Sequence, residues 1–551
     1  MPTGWWRGGL AAGVALLVLL AQLPILRLSA VPVDEGQLVS IADRILRGEL
    51  LYRDVYTGIF PGIYYATAWL LDVFGRDVLV TRWAQALVNA ATAACLALLG
   101  LRVMRPAWAA LAPLLYLGLV VVGFPGLTMF NYSPLALMFA LFALLFLLRF
   151  LESARLVDGI AVGLLLGACG IVKQNFGGLG VLAVGLGLLW GRRGGPLGER
   201  SLAAGFLPVL ASGAALGLGM LAAFASAGAL PDLFHATVLA MGESQMDAFS
   251  DPFPPIFGPH PEGDPRFVFV YTPAALFNYL VRGETIFGVS VSPLLRGASI
   301  RLAYGGTLAT LLVGALLLWS DRACGSAERR RATRVVVLFA LVFFLGIFPS
   351  AIWSHLAFVL APVLLVLGLV GDRISGCLEA RSRAAAWGWK ALFAALALAA
   401  LLVGGRISLD LRRWYPEPLG LARATLRVSP DQGALLRGAT RFLERCARPG
   451  EPVFVAPDMP LVYFLANRPN PTPFDLVIPG DVSGALIVER LAETGTRCVV
   501  YNPQMYLQFA PFEELFPEVA YHLETAYRRT VVIRGQGSEW YGLVRQRKPE
   551  P

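Results

Sequence analysis

Asp34 and Glu35, followed at once by Gly36, stand just beyond the first long apolar run of the chain. Adjacent carboxylates at that point admit two readings. As a helix start before Gln37–Leu46, Asp34 accepts backbone N–H bonds and both charges favour the positive end of the helix. As a reactive group at a membrane–water boundary, a carboxylate takes the proton of an acceptor hydroxyl while cations nearby hold a lipid-linked donor. The second reading requires basic side chains at the ends of other apolar runs. Arg82, His355 and Lys173, the last followed by Gln174 and Asn175, answer that requirement. Arg82 and His355 also read as interfacial anchors. Lys173 is harder to read that way, because a lone Lys-Gln-Asn between two glycine-rich apolar runs needs a specific partner. A lipid phosphate suits its compact point charge.

The elements that must position these groups are mostly membrane helices. The chain has 551 residues, 56% of them hydrophobic and 15% charged, with a mean hydropathy of +0.64; ordinary soluble domains are about 25% charged. Charge is concentrated after residue 405, where about 23% of residues are ionic against about 12% before it. Runs of about 20 apolar residues span a hydrocarbon core. Eleven candidates fall near 8–29, 81–101, 106–123, 134–150, 157–172, 177–191, 202–226, 301–319, 333–348, 354–371 and 387–405. The expected fold class is therefore a polytopic α-helical membrane protein of about eleven spans with a small C-terminal α/β domain. The first run has no small-residue cleavage site and reads as a span rather than a removable signal. An N-terminus inside the cell puts Arg102, Arg105, Arg149, Arg200, Arg322, the Arg329–Arg331 cluster and Arg373 on the cytoplasmic side, as the positive-inside bias requires. The formal net charge of +9 belongs to that bias and not to nucleic-acid binding, since no aromatic-studded basic groove is discernible.

That orientation leaves residues 30–80, 227–300 and 406–551 on the outer face, and divides the chain into a membrane module, 1–405, and an outer domain, 406–551. Pro61–Phe74 is apolar but too short to cross, and reads as an interfacial helix. Residues 227–300 are rich in Pro, Gly, Asp and Phe and read as irregular loop. The tail alternates short β-branched runs, Pro452–Ala456 and Cys498–Tyr501, with the helical spacing of Gln432–Arg445, which suggests an α/β layer. Cys95 and Cys169 fall in spans and Cys324 and Cys377 in cytoplasmic loops. Only Cys446 and Cys498 share the oxidising side, as a disulfide or as two free thiols. The four histidines are far apart and no metal-ligand spacing occurs. Asp458, Asp475 and Asp481 sit among Pro and Gly as ordinary turn residues, and Gly535–Gly537 lacks the remainder of a nucleotide fingerprint.

Val33-Asp34-Glu35-Gly36, Gly48–Asp54, Pro61–Tyr65, Arg82, Gly167–Gln174, His355 with Pro362, Tyr463–Arg468 and Pro471-Thr472-Pro473, in that order, resemble the GT-C superfamily of membrane glycosyltransferases. The resemblance is to the bacterial relatives of dolichyl-phosphate-mannose protein mannosyltransferases and of the lipid A aminoarabinose transferase, and extends over most of the chain. It implies transfer of a hexosyl or pentosyl group from a polyprenyl-phosphate donor to a glycan, lipid or protein acceptor on the outer face of a bacterial cytoplasmic membrane, with inversion. By position, Asp34 is implied to be the catalytic carboxylate and Glu35 its support, with Arg82, Lys173, Gln174 and His355 on the phosphate. A divalent cation, Mg or Mn, on Asp34 and Glu35 is a further implication. Family members commonly carry a second acid before the span that here begins at Pro134, where this chain has Phe130-Asn131-Tyr132-Ser133. That departure removes a metal ligand but not a base role for Asp34. The rival readings are a flippase for a lipid-linked glycan and a catalytically inactive scaffold. Ionisable groups at the boundary rather than the midplane, and the absence of a discernible internal repeat, speak against the flippase.

Overall fold

The computed structural model describes residues 5–193, 195–199, 201–240, 249–261, 263–320, 326–480, 482–505 and 509–546. Arg200, Arg322, Cys324 and Asp481 lie outside them. The chain divides into two compact units. One comprises residues 1–24, 84–222 and 251–409; the other comprises 25–83, 223–250 and 410–551. The tail thus shares a unit with residues 30–80, and the boundary expected at 405 falls inside the helix Arg383–Trp414.

In the second unit, helix α1 (Asp34–Leu46) begins on two acids in its first turn and carries Leu38, Val39, Ile41 and Ala42 inward. Its neighbours are α2 (Gly62–Phe74) and a short tail helix considered below. The short apolar helix expected at Pro61–Phe74 is α2: it buries Ile63, Tyr64, Thr67, Ala68 and Leu71 and exposes Trp69, Val73 and Phe74. Helix α3 (Val78–Val103) follows, and the division between the units falls within it, after Trp83. The tail opens with α4 (Pro430–Cys446), set by Pro430 at its first position and by Ser429, whose Oγ accepts from the Gln432 amide. Strand β1 (Val453–Ala456) pairs parallel with β2 (Cys498–Tyr501). β2 pairs antiparallel with β4 (Glu539–Arg545), and β3 (Tyr527–Arg534) closes the sheet on the far side of β4. The α/β layer is as expected. Helix α5 (Leu461–Ala466) lies after β1, and Val39, Ala42, Leu71, Leu435, Leu436, Leu461 and Val462 share one apolar core. Cys446 and Cys498 form a disulfide that ties the end of α4 to β2.

The first unit is a helical bundle. Among the described residues, seven helices are long and apolar enough to cross a membrane, and three shorter apolar ones, Trp6–Gln22, Pro106–Val122 and Leu156–Val172, accompany them. The candidate at 333–348 lies in Ala327–Phe344, whose first turns carry Arg329, Arg330, Arg331 and Arg334. Residues 263–300 are more ordered than their composition suggests. Pro265–Tyr271, Ala274–Arg282 and Pro293–Ile300 are helical, because proline is preorganised at a first helical turn, and Asp264 and Ser292 cap two of them. The glycine-rich runs around Lys173 are explained by close approach: a Cβ on Gly177 would stand 2.3 Å from the Gly170 Cα.

Candidate functional site

Asp34 and Glu35 are neighbours in sequence and opposites in environment. Glu35 is fully buried and meets Arg82 in a two-pronged ion pair, Nε to Oε1 and Nη2 to Oε2, each 2.7 Å. Arg82 is also fully buried. Its remaining N–H groups donate to the Leu28 carbonyl at 2.6 Å, the Ser29 carbonyl at 2.9 Å and the Leu26 carbonyl at 3.5 Å. Ser29 turns its carbonyl to the guanidinium from a left-handed conformation, φ +64°, fixed by its own amide donating to the Arg427 carbonyl. All five Arg82 donors are therefore engaged within the protein, which leaves none for the phosphate expected there. Arg82 instead anchors the first turn of α1 through Glu35.

Asp34 is exposed, and among the described residues its carboxylate has no hydrogen-bonding or ion-pairing partner. It does not cap α1, which starts without a side-chain cap. Its atoms reach water, yet the protein massed around them displaces enough solvent to push the carboxyl up to about 6, and the charge of Glu35 adds to the rise.

Three contacts hold α1 from other sides. Gly36 lies against α5 so closely that a Cβ there would meet the Leu461 amide nitrogen at 2.4 Å, and that amide donates to the Pro32 carbonyl. Arg44 pairs with buried Asp475 at 2.7 Å and donates to Glu49 and the Asp54 carbonyl. Asp43 accepts from Arg47, Arg76 and Arg423. Asp475 is thus no ordinary turn residue. Nothing in the Pro-rich sequence around it announces that role; its partner lies 431 positions away.

In the bundle unit, Lys173 interrupts two helices in extended conformation, φ −149° and ψ 110°. Its buried ammonium donates to Ser133 Oγ at 2.7 Å and lies over the rings of Phe176, 4.2 Å, and Tyr132, 5.1 Å. No carboxylate pairs with it among the described residues. His355 Nδ1 lies 2.6 Å from the Ser350 carbonyl and its charge environment includes Lys173 and Asp251. Ser350 Oγ donates to Asp251 at 2.8 Å, and Arg266 pairs with the other oxygen of Asp251. Asp251 reads as loop in the sequence, although it organises the Ser350 segment next to His355. Gln174 begins the helix after Lys173. The structure brings Lys173 and His355 into electrostatic range and pairs Glu35 with Arg82.

These donors do not fit a divalent cation. Both Glu35 oxygens are on Arg82, the Asn131 side-chain oxygen accepts from the Ser133 amide, and the described residues contain no group of three His, Cys, Asp or Glu able to hold a metal. Asp34 alone is free.

No family model and no curated protein matches the sequence. Among solved structures, the chain is similar to ArnT from Cupriavidus metallidurans bound to undecaprenyl phosphate, with a TM-score of 0.56 at 14% identity over 98% of both chains. It is similar to the Archaeoglobus fulgidus oligosaccharyltransferase tethered with an acceptor peptide, with a TM-score of 0.53 at 12% identity over 99% of this chain and 74% of that one. The A. fulgidus oligosaccharyltransferase AglB in complex with an inhibitory peptide and a dolichol-phosphate gives a TM-score of 0.54 at 11% identity, over 98% of this chain and 74% of that one.

Proposed function

The chain has the GT-C fold, and from that premise we propose that it is a membrane glycosyltransferase that moves a sugar from a polyprenyl-phosphate donor to a glycan, lipid or protein acceptor, with Asp34 as the base. The observation that carries the reading is the division of labour between two adjacent carboxylates: Glu35 is consumed by Arg82 while Asp34 stays free, exposed and raised to about 6. A base of that strength is deprotonated at neutral pH and still takes a proton in the transition state.

In the proposed reaction, Asp34 accepts the proton of the acceptor nucleophile as its bond to the anomeric carbon forms. The bond from that carbon to the phosphate oxygen breaks on the opposite face, which inverts the centre and releases polyprenyl phosphate. Lys173 suits the leaving phosphate: a buried ammonium with one serine hydroxyl and two aromatic faces, and no carboxylate, keeps hydrogen-bonding capacity for an anion. His355, with Nδ1 against the Ser350 carbonyl, and Gln174 are assigned to the same phosphate. Glu35 and Arg82 are positioning residues for Asp34.

The proposed location is a bacterial cytoplasmic membrane with the tail outside. The Cys446–Cys498 disulfide supports an oxidising compartment for the tail, and the arginines at bundle helix ends support a cytoplasmic N-terminus. The test offers purified protein a panel of polyprenyl-phosphate sugars and follows free polyprenyl phosphate, with and without chelator. Release that survives chelation and disappears in Asp34→Asn is expected. Binding of the lipid without release from any donor would overturn the enzyme in favour of the flippase or scaffold.

A further inference from the structure

The bundle unit contains a second feature, at the other end of its helices. Ser133, the partner of Lys173, lies at the start of helix Tyr132–Ser153 and Glu152 near its end; at 1.5 Å per residue they are about 28 Å apart, close to the ~30 Å of a hydrocarbon core. Beside Glu152 a cavity of about 480 Å³ opens among helix ends, its polar lining formed by Arg7, Arg102, Arg105 and Arg329 with Glu152 and Glu328. The lining also includes the apolar side chains of Trp6, Met104 and Pro106.

The arginines are not equivalent. Arg102 is committed to Glu152, Arg105 to Asp372 and Glu379, and Arg329 to the Val103 carbonyl and Asp372. Arg7 is exposed and, among the described residues, its guanidinium meets only the Trp6 ring, 5.7 Å from the centroid. The lining holds four cations and two anions, and Asp372 and Glu379 offset Arg105 and Arg329, so that Arg7 is the cation left without a counter-ion among the described residues, with apolar side chains beside it. A free phosphate uses the charge and wastes the apolar side chains; an acidic phospholipid uses both. Basic recesses between helix ends on the cytoplasmic side are suited to such headgroups, and a volume of this size is in the range of ligand sites.

We propose that this cavity binds the phosphate headgroup of an anionic phospholipid from the leaflet at this end of the bundle, with Arg7 as the principal cation and Trp6 against the glycerol and first methylenes. It does not depend on the proposed transfer reaction.

The test is thermal stabilisation and native mass spectrometry of the full chain in detergent, with phosphatidylglycerol, phosphatidylcholine and sn-glycerol 3-phosphate as separate probes. The parent protein is expected to retain phosphatidylglycerol at least tenfold more tightly than phosphatidylcholine, with the preference lost in Arg7→Glu and restored in Arg7→Lys. Arg7 makes no ion pair, so its charge reversal leaves the unliganded melting temperature unchanged; if it does not, Trp6→Ala carries the same expectation of weakened lipid binding. Equal retention of the two lipids, or an unchanged preference in Arg7→Glu or Trp6→Ala, would overturn the proposal. Stabilisation by glycerol 3-phosphate equal to that by phosphatidylglycerol would also overturn it, in favour of a soluble phosphate.

Discussion

Glu35→Gln and Asp34→Asn remove one negative charge each from adjacent residues, and the structure requires opposite consequences. Glutamine at 35 keeps one acceptor oxygen but turns an NH₂ toward a guanidinium whose five donors were all satisfied. It leaves Arg82 charged at zero exposure. Removing one partner of a buried pair costs about 3–5 kcal/mol, which for a unit of some 200 residues lowers the melting temperature by roughly 10 °C. Replacing both members with apolar residues of matching volume restores much of that loss, because the penalty belongs to the orphaned charge. Asp34→Asn costs no such stability. The fold already disfavours ionised Asp34, whose carboxyl is raised to about 6, so a neutral side chain there is tolerated at neutral pH. Its loss appears in the rate: a general base contributes about 10²–10⁴-fold, or roughly 3–5 kcal/mol of barrier at 1.36 kcal/mol per decade. The assay pairs intrinsic-fluorescence melting in detergent with initial rates of polyprenyl-phosphate release for both variants. A Glu35→Gln protein that melts within about 2 °C of its parent would refute the role given to the fork. A fully active Asp34→Asn protein would refute the base.

With Asp34 as base, the rate falls about tenfold per pH unit below about 6 and levels off above it. The sign follows from a carboxyl raised in the fold: the ionised form that reacts is also the one the fold disfavours, so acidification through about 6 raises folding stability while removing activity, and a pH–rate profile beside a pH–melting profile checks both. Gly36→Ala places a methyl against the α5 backbone, 2.4 Å from the Leu461 nitrogen. Overpacking of this kind costs about 1–3 kcal/mol; equilibrium unfolding checks it, and an unchanged midpoint would show that α5 yields freely. Cys446→Ser opens a link across a sequence separation of 52, for which chain entropy gives about 4 kcal/mol. Limited proteolysis of the tail after reduction is expected to accelerate, and indifference to reductant would contradict that link.

What was legible in the sequence follows from which signals are local. Most span positions, the helix after Asp34, the short apolar helix Gly62–Phe74 and the strand–helix alternation of the tail each depend on periodicity within one window and are present; of the eleven expected spans, seven are long apolar helices and three are shorter ones among the described residues, and 333–348 is not among them. Lys173 was singled out because charge inside an apolar run is conspicuous wherever its partner lies. The partners themselves were hidden. Arg82 has the composition of a phosphate ligand, and only the fold shows its donors spent on Glu35 and three carbonyls. Asp475 and Asp251 resemble turn residues because their turns are real; their ion pairs with Arg44 and Arg266 are set by tertiary packing. Residues 263–300 were read too loosely for a related reason: proline punctuates loops but also starts helices, and which it does depends on what the following turn packs against.

The same contacts explain why a 146-residue polar tail accompanies a membrane module. A helix of 13 residues such as α1 is marginal on its own in water, and a base must be held to within a fraction of an ångström to be useful. The restraints on α1 come from outside it, Arg47, Arg76, Glu49 and Asp54 among them; four more are the Arg82 fork at its first turn, Leu461 against Gly36, Arg423 on Asp43 and Asp475 on Arg44. Three of those four are tail residues. Recognition of an acceptor is one use for such a domain, but it does not require the domain to grip the base-bearing helix. Because it does, the tail helps fix the helix that carries Asp34, and if Asp34 is the base, loss of the tail is expected to abolish transfer even where the bundle around Lys173 stays folded.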